Sequence, residues 1–222
     1  MARRLVASGA GGRLLDYGCG DGTFVAMVHA GFTEACGVDV EPDQIAACQK
    51  RLGDLAGVRF AMTRDLGPAD AAAWDVVTCM EVLEHCLEPE RRRILDELSR
   101  LCAPRGTVVI SVPIETGPSL VGKQLVRAIS GLRGLGDYAH RERYSPLEML
   151  RGALGLTVPR VVFQGHGVEG TFPYYGHKGF EWRDVQREIS QRMVIERRTF
   201  SPLPWAGSGL NSQVWFVCRP RA

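Results

Sequence analysis

The chain has 222 residues, 45% hydrophobic and 23% charged, with a formal net charge of +2. That is ordinary globular composition, enough for one domain over 1–222 with a full core, and it excludes a fibre and a disordered chain. No apolar run approaches the ~18 residues of a membrane span, no apolar stretch follows Arg3 and Arg4 as in a secretory leader, and the charge is too mild to argue for nucleic acid.

Apolar runs alternate with amphipathic ones through the first two thirds of the chain. Arg13 to Tyr17 reads as a strand ending in the glycine-rich turn Gly18-Cys19-Gly20-Asp21-Gly22. Thr23 to Ala30 reads as a helix with Phe24, Met27 and Val28 on one face and Gly31 as its stop. Ala35 to Val40 is a second strand. Pro42 to Leu52 is a helix with proline in its first turn and Gly53 just past its end. Val58 to Met62 and Trp74 to Met80 are the third and fourth strands. Pro89 to Cys102 is a helix striped by Ile94, Leu95, Leu98 and Leu101. Pro104-Arg105-Gly106 then turns the chain into a fifth strand, Thr107 to Val112. This alternation predicts an α/β fold with a doubly wound, mostly parallel sheet, whose ligands lie at the carboxyl ends of the strands.

The rhythm then breaks. Residues 114–143 are rich in glycine and arginine, with one amphipathic piece at Val121 to Ile129. Ser145-Pro146-Leu147-Glu148 spells a capping box with proline at the first helical position, so a helix runs to about Leu154. Arg160 to Gln164 reads as a sixth strand. Residues 167–210 read as a second irregular insertion, carrying a basic helix from about Arg183 to Arg198. Ser212 to Arg219 is the final strand. Met1 to Gly12 is too short to close over a ligand, so the insertions at 114–143 and 167–210 are expected to form the lid and to read the substrate.

Seven cysteines, an odd number without a C-x-x-C pair, give neither a metal-ligand spacing nor a disulfide framework. Cys79, Cys102 and Cys218 sit in apolar stretches and are expected in the core. A reduced, cytoplasmic setting follows. Only Lys50, Lys123 and Lys178 are lysines among 27 basic residues, which suggests a GC-rich bacterial source.

The turn after the first strand carries the most chemistry. Glycines between a strand and a helix let a ligand approach the backbone. The spacing is G-x-G-x-G rather than the dinucleotide fingerprint G-x-G-x-x-G. Asp16 precedes the first glycine by two residues and Asp21 lies within the turn. Carboxylates there repel a pyrophosphate and attract an ammonium or sulfonium, which favours S-adenosylmethionine over a nicotinamide cofactor. Asp39, roughly 20 residues on, is placed to accept ribose hydroxyls. Asp65 follows the third strand and could accept an adenine amine, with Leu66 beside the ring. Glu81 and Glu84 follow the fourth strand. The alternative for Asp39, Asp65 and Glu84 is a solvated loop acid.

Leu14-Leu15-Asp16-Tyr17-Gly18-Cys19-Gly20-Asp21-Gly22 resembles the first motif of class I S-adenosylmethionine-dependent methyltransferases. Gly37-Val38-Asp39 resembles their second acidic site. Trp74-Asp75-Val76-Val77 with Glu81-Val82-Leu83-Glu84-His85 is similar to the fourth-strand segment of the ubiquinone/menaquinone-biosynthesis type, and Leu101 to Thr107 to their L-x-P-G-G turn, with Arg105 in place of a glycine. His140-Arg141-Glu142-Arg143-Tyr144-Ser145 resembles the H-x-x-x-Y-S segment before the next helix. The resemblance covers Arg13 to Leu156. It implies a Rossmann-like seven-stranded sheet with the last strand antiparallel, and cofactor contacts from Asp16, Gly18, Cys19, Gly20, Asp39, Val40, Asp65, Leu66 and Glu81. The fourth strand lacks the Asn/Asp-Pro-Pro-aromatic sequence of enzymes that methylate base amines.

A hydroxyl acceptor needs a base of near-neutral pKa. His85, His140 and His177 are the candidates, with a structural role as the alternative for His85. Phe172, Tyr174, Tyr175, His177, Phe180 and Trp182 form an aromatic-polar cluster that would either read the acceptor or pack the insertion onto the sheet. Lys178, Arg141 and Arg143 could hold an anionic group. The expected partner is thus a small polar acceptor, O-methylated in preference to N- or C-methylated, with neither nucleic acid nor membrane. Two other readings remain: a member that binds cofactor or a partner without turnover, and an RNA or protein methyltransferase, for which the basic helix is the support.

Overall fold

The computed structural model describes residues 1–124, 144–167 and 170–221. Nine strands follow in chain order: β1 (Arg13–Tyr17), β2 (Glu34–Asp39), β3 (Val58–Met62), β4 (Trp74–Met80), β5 (Cys102–Pro113), β6 (Val162–Gly167), β7 (Gly170–Tyr175), β8 (Met193–Ser201) and β9 (Gln213–Pro220). Seven of them form one sheet in the order β3-β2-β1-β4-β5-β9-β8. β1 to β5 pair in parallel, and β9 runs antiparallel to both neighbours. The chain winds outward from β1 through β2 to β3, then returns to lay β4 on the other side of β1. The sheet therefore switches direction between β1 and β4, which opens a crevice at their carboxyl ends.

Both faces of the sheet are buried, so the central strands read as continuous apolar runs. Alternate residues serve opposite faces. Leu14, Val76, Val109 and Trp215 join a cluster with helices α1 (Ala2–Val6), α2 (Thr23–Val28) and α3 (Pro42–Leu52). Leu15, Val77, Val108 and Phe216 join the opposite cluster with α4 (Glu88–Leu101). The expected α4 stripe is buried throughout. In α2 the buried residues are Val25 and Val28, while Met27 is exposed, one position off the expected face. The first residues are helical, and Leu5 and Val6 pack beneath the sheet rather than over the strand ends.

The helix expected at Ser145 is α5 (Pro146–Ala153). Its capping box is closed by Glu148 N–H to Ser145 Oγ (3.3 Å) and Ser145 N–H to Glu148 Oε2 (2.8 Å). Residues 118–124 are helical, and the remainder of the amphipathic piece lies outside the described residues.

The last third departs from the expected elements. The strand expected at Arg160 to Gln164 is β6, but it pairs with β7 in a separate two-stranded sheet. The sixth strand of the main sheet is β8, where the sequence suggested the second half of a basic helix. That helix, α6 (Trp182–Arg192), stops at Arg192. β8 is an edge strand with charged residues facing solvent, and its register shifts between Ile195 and Arg197. The extra residue, Glu196, breaks the two-residue alternation that marks a strand in sequence. Residues 167–210 thus hold β7, α6 and β8. Pro104-Arg105-Gly106 lies within β5, opposite a register shift between Trp74 and Val76, rather than before it. α6 is tied to α4 by a buried pair, with Arg91 Nε and Nη2 donating to Glu188 at 2.7 and 2.6 Å.

The turn after β1 depends on left-handed backbone at Gly18 (φ +77°) and Gly20 (φ +51°). A Cβ on Gly18 would lie 2.3 Å from Val82 Cγ2, whereas one on Gly20 would meet nothing within 4 Å. Gly18→Ala therefore combines strain with a clash, and Gly20→Ala strain alone, about 1–3 kcal/mol for such backbone. Thermal unfolding should place Gly18→Ala below Gly20→Ala, and both below the parent. Equal melting points for the two variants would show that Val82 does not press on the turn.

Candidate functional site

The crevice between β1 and β4 is lined first by Asp16. Register pairs it with Thr78 on β4, and Thr78 Oγ1 donates to Asp16 Oδ1 at 2.6 Å. Asp16 is 2% exposed. Burial pushes its carboxyl up to about 7; the Thr78 bond works against that shift and the charge of Asp39 adds to it. Asp39, at the end of β2, accepts Gly20 N–H on Oδ2 (2.9 Å) and Glu41 N–H on Oδ1 (3.1 Å). One carboxylate thus holds the glycine turn, and Gly18 and Cys19 N–H both donate to Val38 O (2.8 and 3.0 Å). The structure therefore brings Asp16, Gly18, Gly20 and Asp39 together.

The other expected contacts divide. The Cys19 side chain is buried beneath the turn, and an added Cβ on Gly37 would lie 2.9 Å from its sulfur. Cys19 can face a ligand only through its backbone. Val40, next in sequence to Asp39, is 62% exposed. Asp65 is exposed and accepts Met62 N–H (3.1 Å), closing the turn after β3. Leu66 packs against the core. Glu81 leans toward β5 instead of β1: Ser111 Oγ donates to it at 3.1 Å. Its φ of +57° is unusual for a residue with a side chain. Burial raises its carboxyl, with Ser111 and Lys123 opposing.

Beyond β4 the chain packs on the glycine turn through Val82 and then presents Glu84 and His85. Glu84 is fully buried, and neither carboxylate oxygen has a hydrogen-bond partner among the described residues. Burial first, then the nearby Glu81, holds it well above the usual carboxylate range. His85 Nδ1 lies 2.9 Å from Tyr175 O, and its Nε2 lies 3.9 Å from Glu84 Oε1. The His177 ring meets His85 edge-on at 4.8 Å between centroids. Glu84, His85 and His177 each bring a donor atom within 4.8 Å of the others. Such a set could pass a proton or share a divalent cation, although no metal spacing is visible in the sequence. His140, Arg141 and Arg143 lie outside the described residues.

The aromatic cluster splits as well. Phe180 and Trp182 are core residues. Phe172 and Tyr174 meet each other along β7, and Tyr174 meets Phe163 of β6, while Tyr175 and His177 reach His85. Lys178 is buried and bonded to Glu148 at 2.8 Å, so its charge is engaged within the protein. That pairing, ahead of the Ser145 backbone bond, holds the Glu148 carboxyl down at about 2. Sequence reading missed Thr78, Ser111, Arg160 and the Tyr175 backbone. Thr78 and Ser111 carried a signal, each a hydroxyl inside an apolar strand.

Residues 2–152 match the model of a methyltransferase domain. The chain belongs to that family. It is 32% identical over 140 residues to a ubiquinone biosynthesis O-methyltransferase of Psychrobacter cryohalolentis, an alignment covering 59% of this chain and 53% of that protein. The same-named protein of Thiobacillus denitrificans is 31% identical over 152 residues, covering 65% and 63%. The chain thus spans between half and two thirds of these relatives' length. In structure it resembles the N-methyltransferase NodS of Bradyrhizobium japonicum, crystallised with S-adenosylhomocysteine, at TM-score 0.58 and 14% identity over 100% of this chain and 84% of NodS. At that identity the likeness is one of fold. No helix among the described residues is long and apolar enough to cross a membrane.

Asp16 also makes stability depend on pH. Its folded pKa of about 7 lies above its ordinary 3.8, so the native state binds the extra proton between these values. Its contribution is fully present below about pH 4 and is lost as pH rises through about 7, on the order of 4 kcal/mol at most. Urea unfolding at pH 5 and pH 8 should show the parent losing more stability over that interval than Asp16→Asn. Identical losses would mean that Asp16 titrates as an ordinary carboxyl.

Proposed function

We propose that the protein is an S-adenosylmethionine-dependent methyltransferase acting on a hydroxyl of a small polar metabolite, in a natural-product, quinone or glycan pathway. The observation that carries this reading is Asp16, a buried carboxylate beside an open glycine turn. An ionised acid at that depth is stabilised by a cation and destabilised by a phosphate. The cradle fits the cofactor: Asp16 would face its ammonium and sulfonium, Asp39 its ribose hydroxyls, Val40 and Leu66 its adenine, and the space above Gly20 is clear. When bound, the cofactor supplies a methyl group activated by the sulfonium.

The chain's own residues then orient the acceptor, exclude water and manage a proton. His85 is the base this reading prefers. His177 stands against it, and Glu84 Oε1 lies 3.9 Å from its Nε2. The name of the Psychrobacter relative supports a hydroxyl over an amine. The Glu84-His85-His177 group could serve the same hydroxyl through a bound cation, so assays belong both with and without a chelator. The acceptor would lie against His85 and the segment from β7 to Phe180, with residues after β5 closing the other side. All seven cysteines are free, consistent with a reducing cytoplasmic setting. In α6, the support for the RNA reading, Arg183, Arg187 and Arg192 pair with Glu181, Asp184 and Asp96, which favours a solvated helix face over a nucleic-acid surface.

Calorimetry should show Asp39→Ala weakening cofactor affinity by roughly 10–100-fold, the worth of hydrogen bonds to a charged acceptor. Unchanged affinity would remove the ribose assignment. A screen of hydroxylated acceptors with methyl-labelled cofactor should find turnover that His85→Ala lowers by roughly 10²–10⁴ while cofactor binding stays intact. Full turnover in that variant would reject His85 as the base, and labelling of RNA or protein alone would reject the substrate class. Cofactor binding without turnover on any acceptor would favour a non-catalytic member.

A further inference from the structure

Arg160 stands just before β6, beyond the stretch that matches the family. Its Nη2 donates to Glu84 O (2.5 Å) and Gly176 O (3.0 Å). Its guanidinium carbon lies 3.9 Å from the Tyr175 ring centroid and 5.2 Å from that of Phe180. One planar cation therefore joins the loop after β4 to the end of the β6–β7 hairpin, by two hydrogen bonds and a stacked face. Between these anchors, Tyr175 and His85 exchange contacts in both directions. Tyr175 N–H donates to His85 O at 2.8 Å, and Tyr175 O lies 2.9 Å from His85 Nδ1.

A backbone carbonyl can only accept. Nδ1 must therefore carry the hydrogen, and the neutral ring keeps its lone pair on Nε2. In water a neutral histidine favours the opposite tautomer, so the hairpin imposes this one. It also fixes the ring plane, which His177 abuts from the other side. Nε2 is the nitrogen nearer Glu84.

We propose that Arg160 is a positioning residue for His85: by clamping Tyr175 and Gly176 to the Glu84 backbone, it holds the Tyr175 carbonyl on Nδ1 and so reserves Nε2 as the accepting atom. This rests on the reading of His85 as the group that serves the acceptor. In this reading Arg160 acts through His85. Its chemistry is that of an orienting partner, comparable to the groups that fix the tautomer of a catalytic or metal-bound imidazole.

The test is the ¹⁵N spectrum of the full chain labelled at histidine, without ligand, at a pH where the ring is neutral. His85 is assigned by its disappearance in His85→Gln. The parent should show a hydrogen-bearing Nδ1 and a bare Nε2. Arg160→Met, which keeps the length of the side chain and removes its donors, should give a tautomer mixture, and Arg160→Lys should restore part of the parent pattern. A variant that merely loosened packing would lower the melting temperature without moving these shifts. A parent with hydrogen on Nε2 overturns the proposal, as does a folded Arg160→Met with the parent's pattern. If Arg160→Met does not fold, Tyr175→Leu decides by the same criterion, since it keeps the carbonyl and removes the face on which the guanidinium stacks. The two readings fail separately. Full turnover in His85→Ala would dismiss the base and leave the tautomer result standing, whereas an unmoved tautomer would dismiss Arg160 alone.

Discussion

Asp16 lies between the two central strands at the point where the sheet changes direction, 2% exposed and bonded to Thr78 across the β1–β4 register. A carboxylate at that depth costs several kcal/mol when ionised without a compensating charge. The turn that follows must stay close to it, so Gly18 adopts a conformation open to glycine and accepts the Val82 contact. Asp39 then holds Gly20 through its backbone. The crevice is built around an acid the fold keeps out of water, and its chemistry follows from which charge can satisfy that acid.

The same economy governs the far side of β4. Glu81 turns through positive φ to reach Ser111, which lets the chain fold back with Val82 on the turn and Glu84 inward. Glu84 is left buried without a hydrogen-bond donor among the described residues. Two carboxyls raised by burial and a pair of imidazoles thus occupy the edge beside the crevice. Buried polar groups left unsatisfied concentrate at functional sites, because the core as a whole selects against them.

Much of the first half was legible because its elements answer to local rules. The β1 glycine turn, the α4 stripe and the Ser145 capping box each involve residues close in sequence. Asp16 and Asp39 were legible for a similar reason: acids at strand ends, flanked by glycine, stand out against apolar runs. What escaped depends on long-range pairing. β8 hides behind a bulge at Glu196 and a charged edge. Glu81 was grouped with the cofactor side, yet the partner that orients it, Ser111, lies 30 residues away. Tyr175 contributes to the site through its backbone carbonyl, which no side-chain pattern can announce.

That last contact shows how the two parts of the chain divide their work. The stretch matching the family supplies the sheet switch point, the glycine turn and the His85 side chain. The stretch beyond it supplies a hairpin outside the main sheet, tied back by one backbone bond, one bond from the His85 imidazole to the Tyr175 carbonyl, and one arginine. Backbone ties constrain the path of β7 but not its side chains. Phe172 is 42% exposed, its ring 6.2 Å from that of Tyr174 on the same strand and packed over Gly165 of β6. Residues of this kind can change without disturbing the imidazole, provided Arg160 and the strand register persist. A chain built this way can vary the side chains of its hairpin while the crevice around Asp16, whose demands are set by burial, stays fixed.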